Sequence, residues 1–140
     1  MAFSTMEDGE TRFDRGMGMR RSVLGAEHVE RSMENVSEFA EPVQRLVTEY
    51  CWGEVWTREA LAPRYRSLLT IVMLTALNRM HELRVHIRGA VNNGCSVEEI
   101  REALLQSAIY CGVPAALESF RHAEDVLMEL TSEPASRASV

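Results

Sequence analysis

No lysine occurs in this 140-residue chain: all 15 of its basic residues are arginine. A Schiff base on a lysine of this chain, with a carbonyl substrate or with pyridoxal phosphate, is therefore excluded. Cysteine is scarce too. Cys51, Cys95 and Cys111 are odd in number and widely spaced, with no C-x-x-C. Neither a disulfide framework nor a zinc or thioredoxin-type motif is present, and the three are read as reduced small hydrophobes. The longest apolar run, Leu68 to Leu77, is far short of the roughly 20 residues a bilayer needs, so no membrane partner is expected. No block of five or six basic residues occurs and the net charge is −6, so nucleic acid is not an expected partner either. The pair Arg20 and Arg21 reads as a solvated helix face. Glu7, Asp8 and Glu10 stand where a signal peptide needs an apolar core, and a cytoplasmic location is expected.

What is present is helical. Hydrophobic residues make up 46% and charged residues 26%, the balance of an ordinary globular protein, and aromatics only 6%. A single domain is expected over 11–130, with flexible ends at 1–10 and 131–140. One helix runs from about Thr11 to Val23 and stops at Gly25; a short element follows from Glu27 to Asn35. Ser37 offers a cap for a helix through Phe39, Val43, Leu46, Val47 and Tyr50, with Pro42 confined to its first turn. Trp52 to Arg58 reads as a loop or single turn, either capping the core or forming a lid. From Pro63 to Asn78 apolar residues go almost all round, which predicts a helix buried on most sides. Ser96-Val97-Glu98-Glu99 is a capping box, and the helix behind it ends at Gly112. Pro114 starts the last helix, with Leu117, Phe120, Leu127 and Leu130 facing inward. The fold class is all-α, a bundle of about six or seven helices.

The stretch Asn78 to Gly94 carries the chemistry. A helix from about Arg79 packs through Leu83, Ile87, Ala90 and Val91, and Asn93-Gly94 supplies its left-handed stop. Arg79, Glu82, His86 and Gly89 then share an adjoining stripe. A carboxylate one turn before an imidazole can fix its tautomer and favour its protonated form, the arrangement of a general acid. An exposed ladder of Glu, His and Arg is the alternative reading. His81 and His86 are five apart, about 140° round a regular helix, so they do not share a metal ion and no metal is expected. His28 and His122 are isolated. Gly16-x-Gly18 lacks the third glycine and the strand of a nucleotide loop.

Beyond this local pattern, ordered motifs run through the chain: Arg12-Phe13 with Gly16, Arg21 to Gly25 with His28 to Ser32, Trp52-Gly53-Glu54-Val55-Trp56-Thr57-Arg58, and Arg64 to Thr70. They continue through Asn78-Arg79, Glu82-Leu83, His86-x-Arg88, Asn92-Asn93-Gly94 and Gln106 to Ala115. In these the chain resembles the carboxymuconolactone decarboxylase family over about residues 12 to 130. The resemblance implies an alkylhydroperoxidase D-like helical bundle, a homo-oligomer (trimer or hexamer), and decarboxylation of 4-carboxymuconolactone without a cofactor in aromatic catabolism. On this reading the partner is a small carboxylated lactone. His86 donates a proton and Glu82 orients it. Arg58, Arg66 and Arg79 are candidates for the substrate carboxylates, and Trp52 and Trp56 exclude water. His81 and Leu117 depart from the family pattern, where an acidic residue and Asn are expected, and both bear on the choice of substrate. The thiol peroxidases of the wider superfamily need a C-x-x-C that stands here as Arg79 and Glu82, which disfavours that activity. The alternatives are a decarboxylase or isomerase of the same fold acting on another acid, and a helical oligomer without catalysis.

Overall fold

The computed structural model describes residues 9–133, so 1–8 and 134–140, the greater part of the flexible ends expected at 1–10 and 131–140, lie outside the described residues. The chain divides into two compact units, residues 1–63 and 64–140. Seven α-helices and one π-helical segment account for the elements among the described residues.

In the first unit α1 (Arg12–Leu24) is opened by a capping box, with Thr11 Oγ1 accepting from Asp14 N at 3.1 Å and Asp14 Oδ2 accepting from Thr11 N at 3.0 Å. It stops at Gly25, whose φ of 89° is the left-handed value that favours glycine. Helix α2 (Ala26–Glu34) follows. Ser37 Oγ accepts from Ala40 N at 3.2 Å and starts the turn into α3 (Glu41–Leu46), which carries Pro42 in its first turn as expected. Helix α3 then widens without a break into the π-helical segment Val47–Val55. Trp52 to Val55, expected in a loop or single turn, are therefore helical. The i+5 ladder continues to the end, where Trp56 N bonds Cys51 O at 3.0 Å.

The π segment lies directly on α1. A Cβ on Gly16 would stand 1.9 Å from Thr48 O, and one on Gly53 would stand 2.4 Å from Arg12 O. Two backbones touch there, and any larger residue forces them apart. Gly16 thus belongs to a helix contact, as its lack of nucleotide-loop context implied. Val23, Trp52 and Trp56 are the buried core beside this contact, with Met19, Leu24 and Val47 packed on them.

The second unit holds α4 (Pro63–Ala76), whose opening proline is the last residue of the first unit, with α5 (Met80–Asn92), α6 (Val97–Tyr110) and α7 (Val113–Ser132). Helix α7 runs two residues past the expected limit at 130. Its core is Ile71, Leu83, Ile87, Ala90, Cys95, Ile100, Leu104, Ala123 and Val126. Asn78, with φ 55°, turns the chain from α4 into α5. Gly94, with φ 85°, stops α5: its N–H donates to Val91 O at 3.0 Å, and Cys95 N donates to Ala90 O at 2.9 Å. Asn93 Nδ2 donates to Ser67 Oγ at 2.9 Å and pins that end of α5 to α4. Thr75 and Ser119 share a buried hydroxyl bond of 2.8 Å between α4 and α7. On the surface, Arg84 and Arg88 both pair with Glu129 across α5 and α7.

Three expectations are corrected. Helix α4 is covered on one face only: Ser67, Ile71 and Thr75 are buried, whereas Tyr65, Leu69, Met73 and Leu77 on the opposite side are 49–67% exposed. Its apolar residues go all round, but nothing in the second unit covers the outer side. Leu117 is 50% exposed, because α7 turns Ala116, Ser119, Ala123 and Val126 inward instead, while Phe120, Leu127 and Leu130 pack at the edge of the core as expected. The cysteines are all free, but only Cys95 is buried; Cys51 is exposed and Cys111 half-buried.

Two expected outcomes test these contacts. Gly16→Ala should lower the thermal midpoint by several degrees, the effect of about 1–3 kcal/mol of overpacking. Gly18→Ala meets nothing within 4 Å, so it should leave the midpoint unchanged or raise it slightly. The second concerns Glu99, whose carboxyl is held below its ordinary range by the Ser96 backbone N–H and by Arg64. A depressed carboxylate contributes stability above its unfolded pKa and loses it as pH falls through the folded value. Glu99→Ala should therefore lower the midpoint at neutral pH, and the gap to the parent should close as pH drops below the ordinary carboxylate range.

Candidate active site

Helix α5 carries the candidate catalytic residues in the order the spacing requires. Arg79 is its N-cap residue, His81 and Glu82 lie in its first turn and His86 one turn further on. Arg79, His81 and Glu82 are exposed; His86 is half-buried and its Nδ1 is withdrawn from solvent; Gly89 is buried. The stripe thus descends from solvent toward the core, and the imidazole sits where it does so. Beside it Leu83, Ile87 and Ala90 are fully buried and hold the helix in this register, with Val91 packed at the edge.

Arg66 projects from α4 next to Ser67, and Asn93 bonds to that Ser67. Arg66 is therefore level with the C-terminal end of α5, half-buried, with its Nε out of solvent. Asn93 lies seven residues after His86 and so two turns along the same face. Arg79 stands at the opposite end of the 13-residue helix, roughly 20 Å away along the axis. Within this unit, then, His86 lies between Arg79 at the start of α5 and Arg66 near its end.

The remaining candidates are in the first unit. Trp52 and Trp56 are 4% and 6% exposed, with ring centroids 4.8 Å apart and planes tilted by 33°. They pack on Val23 as core residues, not as a free-standing lid. Arg58 follows them, exposed, its backbone N–H on Val55 O at 3.2 Å. His28 is exposed on α2, and His122 is half-buried on α7 facing Glu118 at 4.0 Å.

The reading of Arg20 and Arg21 as one solvated face is half wrong. Arg21 is exposed and pairs with Glu30 at 3.5 Å, but Arg20 is buried. The signal was in the register: Arg20 falls four residues after Gly16 and three before Val23, both buried. Burial pulls its guanidinium pKa down, and the Cys51 thiol pulls it back up.

Among the described residues no group of three His, Cys, Asp or Glu side chains is arranged to hold a metal ion. No helix among them is long and apolar enough to cross a membrane. Surface cavities of the second unit include the following two among the described residues. One of about 500 Å³ is lined by Leu68, Glu99, Ala103 and Ile109 among others; the other, about 420 Å³, lies between α6 and α7 beside Leu104, Phe120 and Leu127.

Residues 41–125 match the carboxymuconolactone decarboxylase family. The chain is 41% identical over 125 residues to a 4-carboxymuconolactone decarboxylase of Acinetobacter baylyi, covering 89% of this chain and 93% of that protein. It is 46% identical over 107 residues to the nitrosuccinic acid decarboxylase npaB of Metarhizium robertsii, covering 76% of this chain and 75% of that protein. A 4-carboxymuconolactone decarboxylase sequence of Pseudomonas putida shares 38% identity over 47 residues, 34% of this chain and 98% of that sequence.

Proposed function

We infer that the chain, which belongs to the carboxymuconolactone decarboxylase family, is a carboxy-lyase that converts 4-carboxymuconolactone to 3-oxoadipate enol-lactone and CO2 without a cofactor. The observation that carries this reading is the 41% identity across 89% of the chain to a relative of that name.

The substrate supplies its own electron sink. When the bond from the ring carbon to the leaving carboxylate breaks, its electron pair moves through the ring double bond onto the lactone carbonyl oxygen. A 2-oxyfuran-like dienolate results, and a proton on the carbon α to the carbonyl completes the reaction. The protein has to hold anions, steady the developing oxyanion and deliver that proton. In this reading His86 donates the proton and Glu82, one turn before it, orients the ring. The half-buried setting of His86 supports that role, since a proton donor partly withdrawn from water is worth more than one fully in it. Arg66, Arg79 and Arg58 are the candidates for carboxylate binding, with His81 beside Arg79. Trp52 and Trp56 contribute by making the first unit rigid and dry.

A second substrate is favoured by the 46% identity to a nitrosuccinic acid decarboxylase. Both acids carry a carboxylate and a carboxymethyl arm on one carbon attached to an electron sink, which is a butenolide in one and a nitro group in the other. Loss of CO2 into a nitronate followed by protonation on carbon makes the same demands on the protein.

We also propose a homo-oligomer, trimeric or hexameric. The support is the outer face of α4, where Tyr65, Leu69, Met73 and Leu77 stand half-exposed at every fourth position with no charged residue between Arg66 and Arg79.

His86→Gln should reduce kcat on 4-carboxymuconolactone by about 100-fold or more, the usual contribution of a general acid; a variant within a few-fold of the parent removes His86 from this role. Parallel kcat/KM measurements on 4-carboxymuconolactone and nitrosuccinate decide the substrate, and no turnover of either defeats both readings. Light scattering during gel filtration should give a multiple of 15.8 kDa, and Leu69→Glu with Met73→Glu should shift it to the monomer.

A further inference from the structure

Helix α4 is held from one side only, and the three residues it buries completely there are Ser67, Ile71 and Thr75. Two of the three are hydroxyls. A fully buried hydroxyl costs stability unless it is bonded, and alanine would fill either place without that cost. Both hydroxyls bond to another helix. Ser67 Oγ accepts from Asn93 Nδ2 at the end of α5 at 2.9 Å, and Thr75 shares its 2.8 Å bond with Ser119 of α7. The two points are eight residues apart on α4, roughly 12 Å along its axis. Apolar contact is non-directional, so bonds of this kind fix how far α4 slides and turns against its neighbours.

The Ser67 end is gripped twice. Cys95 Sγ donates to Arg64 O at 3.3 Å, so the turn that stops α5, residues 93–95, takes hold of α4 on both sides of Arg66. The Arg64–Glu99 ion pair joins the same end of α4 to α6, but both side chains are 38% exposed, where such a pair contributes little. Asn93 also continues the stripe of His86, seven residues and roughly 10 Å further along α5. One side chain therefore connects the helix of the candidate proton donor to the neighbour of a candidate carboxylate-binding arginine.

Reaction chemistry decides which carboxylate that arginine can usefully take. A cation on the leaving carboxylate stabilises a charge that disappears as CO2 forms, and so opposes the reaction. A cation on the carboxymethyl arm holds a charge that is the same before and after the bond breaks. That arm is common to 4-carboxymuconolactone and nitrosuccinate. Arg66 Nε is out of solvent, so the grip is end-on, through Nη1 and Nη2.

On the decarboxylase reading, on which this role rests, we propose that Asn93 is a positioning residue. Through its bond to Ser67 it sets the register of α4 against α5, and so places Arg66 to hold the retained carboxymethyl carboxylate while His86 delivers the proton.

Steady-state kinetics of the full chain, on whichever of the two acids it turns over faster, test this role. Asn93 has φ −83°, which alanine adopts freely. Asn93→Ala and Ser67→Ala should each raise KM about fivefold or more and leave kcat within about threefold, the pattern of lost uniform binding. The double variant should do no more than either single one, because both remove the same bond. In an Arg66→Ala background, adding Asn93→Ala should change KM by less than about twofold. Ser119→Ala, which loosens the other end of α4, should lower the thermal midpoint and leave KM alone. Four results each overturn the positioning role while the activity of the parent stands: an unchanged KM in Asn93→Ala, a fall in kcat in place of the rise in KM, a full further effect in the Arg66→Ala background, or an equal rise in KM in Ser119→Ala. A parent that turns over neither acid overturns the decarboxylase reading, and the role with it. Should circular dichroism show Ser67→Ala unfolded, Asn93→Ala at its half-buried position decides alone.

Discussion

The first unit depends on a contact with no side chain in it. Where α1 crosses the π segment, Gly16 faces the carbonyl of Thr48 and Gly53 faces the carbonyl of Arg12, closer than any Cβ allows. Everything nearby follows from that approach. With the backbones touching, Thr48 sits fully buried under α1, its hydroxyl donating to Gln44 O at 2.8 Å and accepting from Arg20. The two indoles then close the remaining space against Val23. The π segment and its glycine are two halves of one solution, since the helix that must be approached has a small residue at the crossing.

The second unit is built differently, by layered side chains. Helix α7 packs on both α5 and α6, and the hydroxyl pair Thr75 and Ser119 satisfies two polar groups that would otherwise be stranded beneath it. This firm backing holds α5, and through α5 it fixes the height of His86 relative to solvent. A loosely held helix would not keep this imidazole at the boundary between core and water.

Most of the helices were legible because their ends are chemical. Thr11 with Asp14, Ser96 with Glu99, Gly25, Gly94 and Gly112 punctuate the chain, and each falls at or next to a helix end. The candidate stripe Arg79, Glu82, His86 and Gly89 was legible for the same reason that α5 was, because its period is unbroken. Three things were not. The π segment carries no composition of its own, and a helix that widens by one residue per turn looks, at Trp52 to Val55, like a stretch too short to be helical. The outer face of α4 reads as buried because periodicity reports apolarity and cannot say whether the cover comes from the same chain. Arg20 was hidden by its neighbour: a double arginine suggests a wet face, and only the register from Gly16 to Val23 shows that the first of the pair points inward.

The end of α5 also has a consequence for how the protein ages. Asn followed by Gly is the pair most prone to deamidation, which begins when the glycine nitrogen attacks the asparagine side-chain carbon to close a succinimide ring. Here the Gly94 nitrogen is committed to Val91 O, and the Asn93 amide is held on Ser67. The attacking atom and its target are both tied down by the turn that stops the helix. The fold therefore protects its most perishable dipeptide, and conversion of Asn93 to aspartate should follow local unfolding of this turn instead of elapsed time alone.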